Sequence, residues 1–299
     1  MNKRKLIFWL FIGLLLLADA GVLIYYAKAK QPKADVPLST PPFIGSKNDL
    51  LLSPTSIVPD TLPEIKIGEE RKIYDLSSNY TYKCPVLIKR ETDYLLFLAR
   101  GKNPTRLDEI IYTRSTDLTN WTEEKSSWSS KDQKIKDLEG KKTNSGYFLL
   151  FLVEQEGVKS LKYLYSEDGS KWEEKSFPGE NQNCVRLSLS EEKNSLRLLQ
   201  LWEDQKTIKQ SFSVNGENWL EPKEIIKLNL KIDDLAVFKK DNFWLLFTIN
   251  NEIYNTPSLD FHSFRTPSPL ISIADSVFSI SDAELVYSSK SAVFLRTLE

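Results

Sequence analysis

Short apolar runs separated by polar turns fill the chain from about residue 80 onward, with little of the three-to-four spacing that marks an amphipathic helix. "YLLFLAR" (94–100) and "IIYTRS" (110–115) form one pair of runs. The pair recurs as "YFLLFLV" (147–153) with "LKYLYS" (161–166), "LRLLQLW" (196–202) with "IKQSFS" (208–213), and "FWLLFTI" (243–249) with "EIYNTPS" (252–258). Their aliphatic and aromatic content predicts antiparallel strands. A leading run such as "PVLIK" (85–89) or "LAVFK" (235–239), and a closing strand, make four strands per unit. Four-stranded repeats of this kind build propeller blades.

A second pattern keeps the same phase. Ser115-x-Asp117 with Trp121, Ser166-x-Asp168 with Trp172, Ser213-x-Asn215 with Trp219, and Ser258-x-Asp260 with Phe264 follow one template, here called the box. Its aromatics lie 51, 47 and 45 residues apart, a period typical of repeat architectures. Ser and Asp side chains satisfy backbone donors of a tight turn, and Gly169 and Gly216 tolerate positive φ. The box therefore predicts a corner between third and fourth strands, with the aromatic tucked beneath.

Four boxed blades account for about residues 80 to 270. "AELVYSSKSAVFLRTLE" (283–299) supplies two more strands, and "EIKIG" with "RKIYDLS" (64–77) is expected to complete a fifth blade by joining the chain ends. Residues 64–299 divided by five give about 47 per blade, close to the box period, whereas six blades would leave about 39. The fold class is all-β, a five-bladed propeller of four-stranded antiparallel blades.

The first 63 residues read differently. After a short tail (1–5, "MNKRK"), residues 6–26 run "LIFWLFIGLLLLADAGVLIYY" with Asp19 as the single charge, long enough to cross a bilayer. An uncleaved signal-anchor is the preferred reading, because the run stays apolar beyond residue 20 and ends in an interfacial Tyr pair. Cleavage after Ala20 and secretion is the alternative, since Ala18-Asp19-Ala20 fits a small-x-small site. Residues 27–63 hold seven of the 14 prolines and predict a semi-extended stalk. The tail is then cytoplasmic and residues 64–299 form an extracytoplasmic domain on a single-pass membrane protein.

Charge and composition narrow the function. Lys+Arg 40 balance Asp+Glu 41, but the first 33 residues hold six basic side chains and one acid, so the rest is net acidic. Nucleic acid is not the expected partner. With one His, 11 Gly and two Cys, no zinc-ligand spacing, nucleotide loop or Ser-His-Asp set is assembled, so no cofactor and no metal are expected. Cys84 and Cys184 lie 100 residues apart and read equally as a disulfide or as two buried thiols.

The boxes resemble the Asp-box repeats of sialidases. "PVLIKRETDYLLFLA" (85–99) with "RSTDLTNW" (114–121) is similar to a blade of the five-bladed glycoside hydrolases of the arabinanase and fructosidase type. The resemblance implies a ligand site at the channel mouth, where the innermost strands begin, and catalysis there by carboxyl groups. In the arabinanase type it implies an Asp directly before a Pro at the first inner strand. That place reads Lys83-Cys84-Pro85, and counting 13 back from Phe97 and Phe247 gives Cys84 and Asp234. A neutral thiol does not serve as a base toward water. The sialidase resemblance implies three convergent arginines, of which Arg186 and Arg90 alone fall on expected inner strands.

The polar groups expected near the inner-strand starts are Tyr82, Asp137, Glu139, Arg186, Asp233, Asp234, Asp282 and Glu284. Asp234 and Glu284 are the candidate catalytic acids. Tyr82, Asp137, Arg186, Asp233 and Asp282 are the candidate ligand-binding set. Against these roles stands the plain one, in which acids at strand ends cap turns. Trp128, Trp202 and Trp244 are candidates for a sugar-stacking platform or for packing between blades. The reading is a glycosidase-like propeller that binds a glycan or an envelope protein without the usual catalytic set. The alternative is an active glycoside hydrolase with displaced carboxylates.

Overall fold

The second strand of each of the first four blades is apolar on both faces, because each blade is sandwiched between two others and has no solvent side there. The structure, a computed structural model, describes residues 64–177, 183–192, 195–239, 242–258, 264–265, 267–273, 277–281 and 283–299. The expected tail, membrane span and stalk, together with Asp260, His262 and Asp282, lie outside them. Among the described residues no helix is long and apolar enough to cross a membrane.

The first strand is β1 (Arg71–Asp75). Blade one holds β2 (Thr81–Lys89), β3 (Tyr94–Gly101), β4 (Glu109–Ser115) and β5 (Lys125–Ser129). Blade two holds β6 (Lys134–Thr143), β7 (Gly146–Gln155), β8 (Val158–Ser166) and β9 (Glu173–Ser176). Blade three holds β10 (Cys184–Glu192), β11 (Ser195–Trp202), β12 (Thr207–Ser213) and β13 (Lys223–Lys227). Blade four holds β14 (Asp234–Lys239), β15 (Phe243–Ile249), β16 (Glu252–Ser258) and β17 (Ser268–Ser272). Blade five is β18 (Phe278–Ser281), β19 (Glu284–Ser288) and β20 (Ala292–Thr297), closed by β1. Each is a four-stranded antiparallel sheet.

The ring closes as expected in kind but not in count. Blade five takes three strands from the C-terminal end and one from the N-terminal end. "EIKIG" contributes only a bridge from Ile67 to Leu298. With four residues β18 is too short to show a period in the sequence. Its alternation is nonetheless that of an inner strand, with Phe278 and Ile280 in the core between blades four and five.

Five apolar clusters fill the five seams between adjacent blades. Phe97, Leu138 and Phe151 pack between blades one and two, Phe148 and Leu187 between two and three, and Leu201 and Phe247 between three and four. Ala236 and Leu285 join blades four and five, and Leu87 with Val293 joins five and one. The outermost strands are polar, as in "KSSWS" and "KEIIK", and Pro269 sits on another edge. Lys and Pro there discourage edge-to-edge pairing.

The first three boxed turns lie between third and fourth strands, as read from sequence; most of the fourth lies outside the described residues. Asp117 Oδ1 accepts the N–H groups of Thr119 and Asn120, both at 2.8 Å. Asp168 Oδ1 accepts those of Ser170 and Lys171, and Asn215 Oδ1 those of Glu217 and Asn218. Ser115, Ser166 and Ser213 hydrogen-bond to the same Asp or Asn groups. Gly169 (φ 73°) and Gly216 (φ 76°) take the left-handed conformation, and Leu118 (φ 61°) adopts it in the first turn without a glycine. The aromatic reaches further than beneath its own turn, onto the preceding blade. Trp121 donates its indole N–H to Ile73 O of β1 (2.6 Å). Trp172 packs edge-on against Phe97 of blade one, and Trp219 against Phe177 after blade two. Phe264 is buried in the cluster between blades three and four, with Ser258 buried on β16.

Candidate functional site

The channel mouth is built by irregular strand starts. Between β2 and β3, Cys84 and Pro85 together oppose the single residue Leu98, since Lys83 pairs with Ala99 and Val86 with Phe97. Cys84 is held at φ 52° there. Similar one-residue shifts occur at Lys136 in β6 and Val185 in β10. Such bulges re-aim the side chains beside them, and here they bring Cys84, Asp137 and Arg186 together beside Asp234, which opens a regular strand. The sequence correspondence of Cys84 with Asp234 holds on the ladder, where Asp234 alone opposes Thr248.

Arg186 is the hub. Its Nε donates to Asp233 O (3.1 Å), and its Nη1 to Lys136 O (3.2 Å) and Val185 O (3.0 Å). The guanidinium thus ties blade three to both neighbours, with Asp234 Oδ1 3.9 Å from Nε.

Asp137 and Asp234 are buried beneath it and engaged by backbone. Asp137 Oδ2 accepts Leu187 N–H at 2.6 Å, and the Cys84 thiol donates to the same carboxylate. Asp234 Oδ1 accepts Leu235 N–H and Oδ2 accepts Phe278 N–H, each at 2.9 Å. Glu139, two residues along β6, accepts Leu189 N–H. Ser188 Oγ accepts Val237 N–H (3.0 Å) and Ser279 Oγ donates to Pro85 O (2.6 Å). Each inner strand is therefore fastened to the next by a buried polar side chain, as buried backbone donors require.

Burial dominates the acid–base behaviour of this cluster. It raises the Asp137 carboxyl to about 6, opposed by Arg186 and by the hydrogen bonds it accepts. Burial and then the neighbouring Asp137 carboxylate push Asp234 up, and burial raises Glu139 in the same way. The Cys84 and Cys184 thiols are free, buried and held protonated by burial. Among the described residues no three His, Cys, Asp or Glu side chains are grouped to hold a metal ion.

The remaining candidates are placed elsewhere. Glu284 opens β19 opposite Ser281, at the end of β18 away from Phe278 and Asp234, so the structure does not bring the two candidate acids together. Asp233 caps a turn, accepting Asn250 N–H (2.9 Å). Tyr82 points into the seam between blades five and one. There Tyr74 and Tyr82 both donate to Glu124 Oε1 (2.8 and 3.3 Å), and Arg100 bonds Glu109 (2.7 Å) and Glu124 while lying over the Tyr80 ring. Arg90 leaves the mouth altogether and pairs with Asp93 beyond the far end of β2. Trp128 and Trp244 are buried in seams, whereas Trp202 is partly exposed at the mouth end of β11 with Lys209 Nζ 3.4 Å from its ring centre. Ser188 and Ser279 were not singled out from sequence. Their signal was a lone small polar residue between apolar ones on an inner strand.

No protein-family model matches the chain, and no curated protein sequence matches it. Solved structures do. The GH43_1 enzyme of Xanthomonas citri, solved with xylotriose, gives a TM-score of 0.61 at 9% identity over 76% of this chain and 89% of its own. A family 117 glycoside hydrolase of the marine bacterium Zobellia galactanivorans gives 0.61 at 11% over 78% and 90%. The catalytic domain of the Coprinopsis cinerea GH62 α-L-arabinofuranosidase gives 0.55 at 11% over 73% and 90%. The chain therefore has the five-bladed fold of glycoside hydrolase propellers. At these identities the likeness is one of architecture, which does not carry chemistry with it.

Proposed function

We propose that this chain is a membrane-anchored, extracytoplasmic propeller that works as a binding module for a glycan or an envelope protein rather than as a hydrolase. The observation that carries the reading is the engagement of the mouth carboxylates. Both Asp234 oxygens accept backbone N–H groups, Asp137 is held by Leu187 and Cys84, and Glu284 is not beside them. A glycosidase needs one carboxyl to protonate the leaving oxygen and a second, about 5 to 9.5 Å away, as base or nucleophile. Groups that fasten the inner ring are not available for both tasks. The anchor rests on the 21-residue apolar run at 6–26 and the Pro-rich stretch that follows it.

One observation favours the second reading, an active glycoside hydrolase. Asp137 and Asp234 flank Arg186 and both have raised pKa values, a pattern common at catalytic sites. Hydrolysis of a panel of aryl furanosides, pyranosides and sialosides by the full chain separates the two. No turnover is expected. Turnover abolished by Asp137→Asn, Asp234→Asn or Glu284→Gln would overturn the binding-module reading.

A further inference from the structure

The chain reads Asn-x-Ser/Thr at two places, Asn79-Tyr80-Thr81 and Asn120-Trp121-Thr122, while Asn103-Pro104-Thr105 is ruled out by its proline. In an exported protein this motif marks an asparagine whose side-chain amide accepts a glycan. The fold puts the two amides in opposite circumstances.

Asn120 belongs to the first boxed turn. Its Nδ2 donates to Asp117 Oδ2 (2.7 Å), its backbone N–H to Asp117 Oδ1 (2.8 Å), and Thr122 Oγ1 accepts the N–H of Arg114 (3.1 Å). Arg71 closes over the same turn, on Asp117 O (3.0 Å) and Thr119 Oγ1 (3.3 Å). A glycan on Asn120 would replace one of the two amide hydrogens and crowd the corner that rests on the closing strand. Asn79 lies instead in the connection from β1 to β2, at the mouth end. There Leu76 N–H donates to Ser291 O (2.8 Å) and Asn79 N–H to Ser77 Oγ (3.3 Å). Ser77, Ser78 and Asn79 are exposed, and the Asn79 side-chain amide makes no hydrogen bond among the described residues. Tyr80 anchors the turn from the inside, with the Arg100 guanidinium 4.7 Å from its ring centre and Tyr82 edge-on to it. The acceptor amide is thus held out to solvent on a fixed turn.

We infer that Asn79 is a modification site, carrying an asparagine-linked glycan on the rim of the mouth, and that Asn120 stays bare. The donor is a lipid-pyrophosphate-linked sugar. Asn79 Nδ2 bonds to the anomeric carbon, the bond from that carbon to the pyrophosphate oxygen breaks, the lipid pyrophosphate leaves with the electron pair, and one amide proton is lost. The turn keeps its hydrogen bonds in the product, because they use the Asn79 backbone and not its side chain. A bulky, solubilising group there stays in water. The inference rests on the extracytoplasmic placement proposed above and is independent of the choice between binding and hydrolysis.

The test is glycopeptide mass spectrometry on the full chain taken from the membranes of its own cells. Trypsin releases Asn79 in peptide 73–83 and Asn120 in peptide 115–125. A carbohydrate mass increment is expected on the first peptide and none on the second. Asn79→Gln and Thr81→Ala should abolish the increment, and Thr81→Ser should keep it. Cooperative thermal melts would show the variants folded. A bare peptide 73–83, an increment on Asn120, or an increment that survives Thr81→Ala would overturn the proposal. Labelling of intact cells with a membrane-impermeant amine reagent reads the placement separately. A labelled chain with bare Asn79 overturns the glycan alone, and an unlabelled chain with bare Asn79 overturns the placement with it.

Discussion

Asp234 of the fourth inner strand accepts the backbone N–H of Phe278 in the fifth, Oδ2 to N 2.9 Å, with both groups buried. A carboxyl proposed from sequence as a catalytic acid is thereby a fastener between blades. Replacing it by an apolar residue orphans two buried N–H groups, those of Leu235 and Phe278. Asp234→Leu should destabilise the domain by about 1 to 3 kcal/mol for each. Asp234→Asn, which keeps one acceptor oxygen and the volume, should cost less. Urea unfolding midpoints of the two variants give the comparison, and equal midpoints would remove the fastening role.

The pH dependence has a definite sign. Burial holds the Asp137 proton to a higher pH in the native state, about 6 against 3.8 unperturbed, and raises Asp234 and Glu139 likewise. Arg186 opposes the shift on both aspartates and Cys84 opposes it on Asp137. The native state therefore binds more protons than the unfolded chain in this window, and stability should fall as pH rises from about 4 to beyond 6. Denaturant titrations across that range should show the decline, flattened in Asp137→Asn. A midpoint that climbs with pH would contradict the burial argument.

Two glycines separate strain from crowding. Gly157 (φ 82°) has open space where a Cβ would go, so Gly157→Ala should cost about 1 kcal/mol from backbone conformation alone. A Cβ on Gly216 (φ 76°) would lie 2.1 Å from the Phe148 ring. Gly216→Ala should add a packing penalty of about 1 to 3 kcal/mol. The order of the two melting temperatures is the test.

The closing strand is held from the side as well as by its ladder. Trp121 donates to Ile73 O, Tyr74 to Glu124, and Arg71 to the first boxed turn. Trp121→Phe should cost about 1 kcal/mol by orphaning the Ile73 carbonyl, and it should speed tryptic cleavage at Arg71 and Lys72. Unaltered cleavage would place the hold in the β1–β20 ladder alone.

Both thiols should be silent in the native state. Cys84 and Cys184 are buried and their thiolates disfavoured by burial. An aromatic disulfide reagent should label neither at neutral pH and both in urea. Rapid native labelling of Cys84 would show that the mouth opens.

Blade number, the strand order of the first four blades and the place of the first three boxed corners were legible in the sequence, because each depends on local signals. Strand alternation follows from two-sided burial, and a Ser-x-Asp turn satisfies its own backbone within a few residues. The limit is set by Phe278–Ser281, too short for periodicity to speak. What the acids do was decided only in three dimensions. From sequence Asp234 is a candidate catalytic acid, Asp137 a candidate ligand contact and Glu139 a polar group near a strand start; what makes all three fasteners is Leu187, Leu189 and Phe278, 44 to 50 residues away in the chain. Asp233 capping Asn250, and Glu284 standing at the far end of β18, likewise depend on which strand pairs with which. Side-chain type fixes what a group can donate or accept. Only the folded ring fixes which partner uses it.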